Sequence, residues 1–166
     1  MLPVSARNGA TAMAAALLLT ATAAAPHAAA GTARVRLATL NCAGSINVNV
    51  HPLNGAVDGR SGTNFRCATP DRSFAAELTL SGTVTGSGDL FYTTRTNDSL
   101  KLTDTGQVFR FPMDRRFERD TTAASGNATE RGSSSQGRDS GSGTFGTGTG
   151  LVTFLITNNY TLDVNV

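Results

Sequence analysis

The sequence has no tryptophan, two tyrosines, two cysteines, two histidines and a single lysine, Lys101. Each scarcity excludes something. Cys42 and Cys67, with His51 as the one histidine beyond position 30, cannot supply the four ligands of a tetrahedral metal site, so neither a metal nor a cofactor is expected. No apolar run after position 30 is long enough to span a bilayer, so no membrane span is expected in the mature chain. Residues 31–166 carry 13 basic and 12 acidic side chains, a near balance that argues against nucleic acid or another polyanion as partner. No segment sustains the 3.6-residue apolar period of a helix. An aromatic content of 6% is low for a ligand-holding barrel.

What is present points to export. Arg7 supplies a positive start, Ala12–Ala25 is an apolar run, and Pro26–Ala30 ends in small residues. That is the build of a secretory signal peptide over residues 1–30, with cleavage expected after Ala30. The remainder, residues 31–166, has the length of one domain, expected to be secreted and extracellular. Its two cysteines are then expected to be oxidised, and a Cys42–Cys67 disulfide enclosing 24 residues would contribute about 3–4 kcal/mol by the loop-entropy argument.

Strand patterns fill most of the domain. Ser45–His51 alternates with Ile46, Val48 and Val50 on one face, and Pro52, which has no N–H for a ladder, ends it. Leu53–Asn64 reads as a glycine-rich loop, Phe65 and Cys67 as a short strand, and Phe74–Gly86 as a long one with its even positions inward. Gly86-Ser87-Gly88 marks a hairpin, and Asn97-Asp98 reads as a further turn. Asp104-Thr105-Gly106 has the form of a hairpin loop with glycine at the position that needs positive φ. Pro112–Asp120 fits a strand bent at Pro112 slightly better than a helix. Thr121–Ser142, rich in serine and glycine, buries too little apolar area to offset its ordering entropy and is expected to be a mobile loop. Leu151–Thr157 and Tyr160–Val166 read as a final hairpin about Asn158-Asn159. About eight or nine short strands without a helix define an all-β fold, an antiparallel β-sandwich, with a closed meandering β-barrel as the alternative.

Chemistry is sparse. The triplet Asp139-Ser140-Gly141 has no rigid histidine–carboxylate pair to activate its serine. Asp58 and Asn64 do not match a twelve-residue calcium loop. The one basic cluster interleaves arginine with phenylalanine, and Phe109, Arg115, Phe117 and Arg119 form the candidate contact patch. On this reading, replacing Arg115 and Arg119 by alanine weakens partner capture and leaves the melting temperature nearly unchanged. Two function classes follow. The first is a non-catalytic secreted module that binds or assembles with an extracellular protein or glycan. The second is a small hydrolase using carboxylates such as Glu77 or Asp89.

Overall fold

The computed structural model describes residues 37–165, and the expected export segment 1–30 lies outside the described residues. Nine strands and no helix make up the described chain: β1 (Leu37–His51), β2 (Ala56–Ser61), β3 (Arg66–Ala68), β4 (Ser73–Gly88), β5 (Phe91–Leu102), β6 (Val108–Arg119), β7 (Ser125–Ser133), β8 (Gly137–Gly148) and β9 (Leu151–Asn165). All pair antiparallel in one sheet, and from β3 onward each strand pairs with the next. Strand β9 returns to pair with β1, from Leu37↔Asn165 to Val50↔Val152, so the sheet curves into a ring. The short β2 and β3 lie end to end between β1 and β4, and each is hydrogen-bonded to both. The connectivity from β3 to β9 is that of a meander.

Period-2 alternation explains why these residues form strands and which face is buried. Ile46, Val48 and Val50 of β1, Phe74, Ala76, Leu78 and Leu80 of β4, and Phe154, Ile156, Leu162 and Val164 of β9 all point into the ring. Their neighbours, such as Glu77, Thr79 and Ser81, face water. Burying each large aliphatic side chain contributes about 1.5–3 kcal/mol. The predicted hairpin turn is present: Gly106 has φ +74°, and its N–H donates to the Leu102 carbonyl at 2.8 Å. Strand β6 continues through Pro112, which is exposed on the outer face and precedes the β6–β7 ladder that begins at Asp114.

Several stretches differ from the sequence expectation, among them Gly86-Ser87-Gly88, which lies within β4 rather than in a turn. Thr121–Ser142 is not a loop but supplies β7 and the first half of β8. Asn97-Asp98 lies within unbroken β5, and Asn158-Asn159 within unbroken β9. The Leu53–Asn64 loop also contains β2.

Cys42 and Cys67 form the expected disulfide at directly opposite positions of β1 and β3, both buried. Strand β3 has only three residues, so the bond fixes an element too short to hold register by its ladder alone. Replacing both cysteines by serine is expected to lower unfolding free energy by about 2–4 kcal/mol. Urea denaturation of variant and oxidised parent measures the difference, and coincident curves would refute it.

Candidate functional site

The interior of the ring is apolar along β1 and β4 but not on the opposite side. There, five adjacent strands each send polar side chains inward at one level. Strand β5 supplies Thr94, Thr96 and Asp98, β6 supplies Arg115, β7 Glu130, β8 Asp139, and β9 Asn158 and Tyr160, all buried. The side chains of Arg115, Asp98, Glu130 and Asp139 have 0% exposure. Space for them comes from small residues on β7 and β8. At Gly132, which pairs with both Arg115 and Asp139, a Cβ would come within 1.9 Å of Asp139 Oδ1 and 2.9 Å of Arg115 Cγ.

Arg115 organises the group. Its Nε donates to Asp139 Oδ2 at 2.8 Å. Nη1 donates to Thr96 Oγ1 at 2.7 Å and to Asp98 Oδ1 at 3.1 Å. Nη2 donates to Asp98 Oδ2 and, at 3.3 Å, to the Tyr160 hydroxyl. The hydroxyls of Thr96 and Tyr160 in turn donate to Asp98, at 2.7 and 2.9 Å. Asn158 Nδ2 donates to Glu130 Oε2 at 2.6 Å. Burial by itself would lower the Arg115 pKa, but Asp139 and Asp98 beside it hold that pKa well above the ordinary value. Burial pushes the Glu130 carboxyl well up, as does the Asp139 charge, against the opposing pull of Arg115. The Tyr160 phenol is likewise raised, chiefly by burial. The charged side chains of this cluster are closed off from solvent, so it forms a buried polar network.

The arginine–phenylalanine stretch is split by the same geometry. Arg115 and Phe117 point into the ring and are buried, so neither belongs to a surface patch. The reason is strand phase: 109, 111, 113, 115, 117 and 119 all share the inward face of β6. Phe109 is half-buried against the core at one end of β6, and Arg119 is half-buried at the other, roughly 30 Å away along the strand. Arg119 lies between the rings of Tyr92 (5.7 Å) and Phe145 (5.3 Å), and its Nη2 donates to the Asp89 carbonyl. Arg110 and Arg116 face outward instead, and the Arg116 guanidinium covers the Phe91 ring at 3.9 Å.

The remaining sequence candidates do not converge. Glu77 lies on the outer face of β4 opposite Lys101, whereas Asp89 is in the β4–β5 turn, roughly 40 Å farther along the strand. A carboxylate pair for glycoside hydrolysis requires about 5–9.5 Å. His51 Nε2 lies 2.8 Å from Asp58 Oδ1, and Asn49 Nδ2 donates to Asp58 Oδ2 at 3.1 Å. The His51 contact, ahead of the Asn49 bond, holds the Asp58 carboxyl below the usual range. Ser140 is exposed on the outer face of β8, away from any histidine–carboxylate pair. Among the described residues no group of His, Cys, Asp and Glu is arranged to hold a metal ion, and no helix is long and apolar enough to cross a membrane.

No protein-family model matches this chain, and neither the curated proteins nor the solved structures include a significant match to it.

Proposed function

We propose that this chain is a small secreted, non-catalytic β domain that docks on an extracellular or cell-surface protein. The observation that carries this reading is the end of the ring holding the β1–β2 and β4–β5 turns. Leu53 there is 90% exposed and lies against Gly150 of the β8–β9 turn, while Leu90 is 41% exposed, next to Phe91 and bonded through its carbonyl to Arg119. The turn bearing Leu90 is held by β6, because the Arg119 N–H donates to the Leu90 carbonyl at 2.7 Å. Exposed leucines near arginine and aromatic side chains are the usual makings of a protein interface. A sugar ring needs an open aromatic face, and Arg116 already covers that of Phe91, so a glycan partner fits less well. Every strand pairs on both sides over at least part of its length, although Val108–Met113 of β6 has no partner on β7. The hydrolase reading has no comparable support, since the buried carboxylates are inaccessible and the exposed ones are scattered.

Leu53→Asp combined with Leu90→Asp tests the reading. Capture of the crosslinked partner from culture medium and cell walls is expected to fall about tenfold or more. The melting temperature should hold within a few degrees, because exposed substitutions change stability by only about 0.5 kcal/mol. Undiminished capture by the variant removes the docking face. A captured species released by glycosidase and not by protease replaces a protein partner with a glycan.

A further inference from the structure

Hydrogen-bond accounting inside the ring leaves four side-chain oxygens without a partner, on Thr94, Glu130, Asp139 and Asn158, and two of the four belong to carboxylates. A guanidinium has five N–H groups, and those of Arg115 are all committed: one to Asp139, two to Asp98, one to Thr96 and one to Tyr160. The hydroxyl hydrogens of Thr96 and Tyr160 go to Asp98, and Asn158 serves Glu130 Oε2. Glu130 Oε1 and Asp139 Oδ1 remain buried acceptors with no donor. Glu130 Oε1 is 3.1 Å from Arg115 Nε, but the one hydrogen on that nitrogen is directed to Asp139 Oδ2. Buried acceptors are almost always satisfied, and leaving one unsatisfied is costly.

Charge accounting reaches the same place. Three carboxylates, Asp98, Glu130 and Asp139, surround one guanidinium with no exposed atoms. Fully ionised, the cluster would hold two uncompensated negative charges away from water, which folded proteins avoid by neutralising a group. Glu130 and Asp139 sit on adjacent strands at diagonal positions, since Glu130 pairs with Gly141 and Asp139 with Gly132. Long side chains at such positions reach each other, and both carboxylates lie against the same Arg115 nitrogen.

We propose that Glu130 and Asp139 bind one proton between them, carried by Glu130 and donated to Asp139, making the interior of the ring a proton-binding site. One hydrogen then satisfies the two leftover carboxylate oxygens, though not Thr94 Oγ1 or Asn158 Oδ1, and removes one of the two excess charges. The groups facing the pair are Asp98 from β5, Arg115 from β6, and the Tyr160 phenol and Asn158 amide from β9; the inward positions of β1 and β4 at this level are apolar. The upward shift of the Glu130 carboxyl, through burial and then the Asp139 charge, has the matching sign.

The sign of the pH dependence follows. A carboxyl whose folded pKa is raised binds its proton more tightly in the native state than in the unfolded one. Its contribution is complete below the ordinary value of 4.5 and is lost as pH rises toward the raised value. For one proton the folding equilibrium constant falls about tenfold per pH unit across that window. Glu130→Gln tests this, because the amide gives Asp139 a permanent N–H and keeps a carbonyl for Asn158. The infrared spectrum of the parent protein at neutral pH is expected to contain a protonated-carboxyl stretch that Glu130→Gln lacks. Denaturant titrations across pH should show the one-proton slope in the parent and its loss in the variant. If Glu130→Gln does not fold, Asp139→Asn is the second variant, expected to abolish the same band by donating to an ionised Glu130. A parent spectrum without the band, or a slope unchanged in Glu130→Gln, overturns the proposal.

Discussion

Arg115→Ala is expected to lose about 3–5 kcal/mol of stability, the cost of removing one partner from a buried ionic group. Domains of this size unfold at about 5–15 kcal/mol, so the variant keeps only part of its margin or none. The cause is what remains: Asp98 loses both guanidinium contacts, Asp139 Oδ2 loses its donor, and three carboxyl groups face each other without a cation. This reverses the expectation from the sequence, in which Arg115 and Arg119 were equivalent surface residues. Arg119→Ala alone removes stacking on Tyr92 and Phe145 and a bond to a turn carbonyl, and should cost far less. Urea denaturation of the two single variants decides it. An Arg115→Ala protein as stable as its parent would mean that the cluster does not support the fold.

Phe117→Ala is expected to cost a similar amount, about 3–5 kcal/mol, by a different mechanism. Phe117 is fully buried, and its ring centroid is 4.9 Å from that of Phe154, which also touches Tyr92 and Phe145. These rings join the apolar side of the interior to the end of the ring next to the polar level. Truncation leaves a cavity whose walls, the backbone of a ring closed by hydrogen bonds, cannot readily collapse into it. Phe117→Leu should recover much of the loss, since it restores most of the volume. If Phe117→Ala denatures with its parent, Phe117 is not part of the core.

The apolar half of the molecule was legible from the sequence, and most of what was not lies on the polar level. Alternating aliphatics in β1 and β4, the cysteine pair and the Gly106 turn all follow from local chemistry. Asp98, Glu130, Asp139 and Asn158 occupy inward positions where local rules expect apolar residues. They therefore read as turns or as loop: Asn97-Asp98, Thr121–Ser142, and Asn158-Asn159. Arg115 was placed outside for the same reason. The signal that could have found them is the phase of the alternation. Leu100 and Leu102 counted back by twos reach Asp98, Thr96 and Thr94; Phe111 and Met113 counted forward reach Arg115 and Phe117. Ile156 and Leu162 share a phase with Asn158 and Tyr160, which is incompatible with a turn between them. In β7 and β8 the inward positions are mostly glycine, alanine or charged, and only Phe145 breaks that pattern. There the phase has no apolar anchor, and composition alone points to a loop.

The β1–β9 seam also bears on how the chain reaches this structure. Every residue pair in that ladder joins positions more than 100 apart in sequence, whereas β4 to β9 pair through consecutive short turns. The meander can assemble as a series of local hairpins, each on the microsecond scale. Closure must instead wait until a chain of more than 100 residues brings its two ends together, and it gains nothing from local contacts until then. The seam is therefore the kinetic bottleneck, and the chain belongs with the slow folders, on a scale of about milliseconds to seconds. Until closure, β1 and β9 each present an unpaired edge to neighbouring molecules. The same pairing that covers these two edges in the finished ring leaves the chain most prone to aggregate just before it closes.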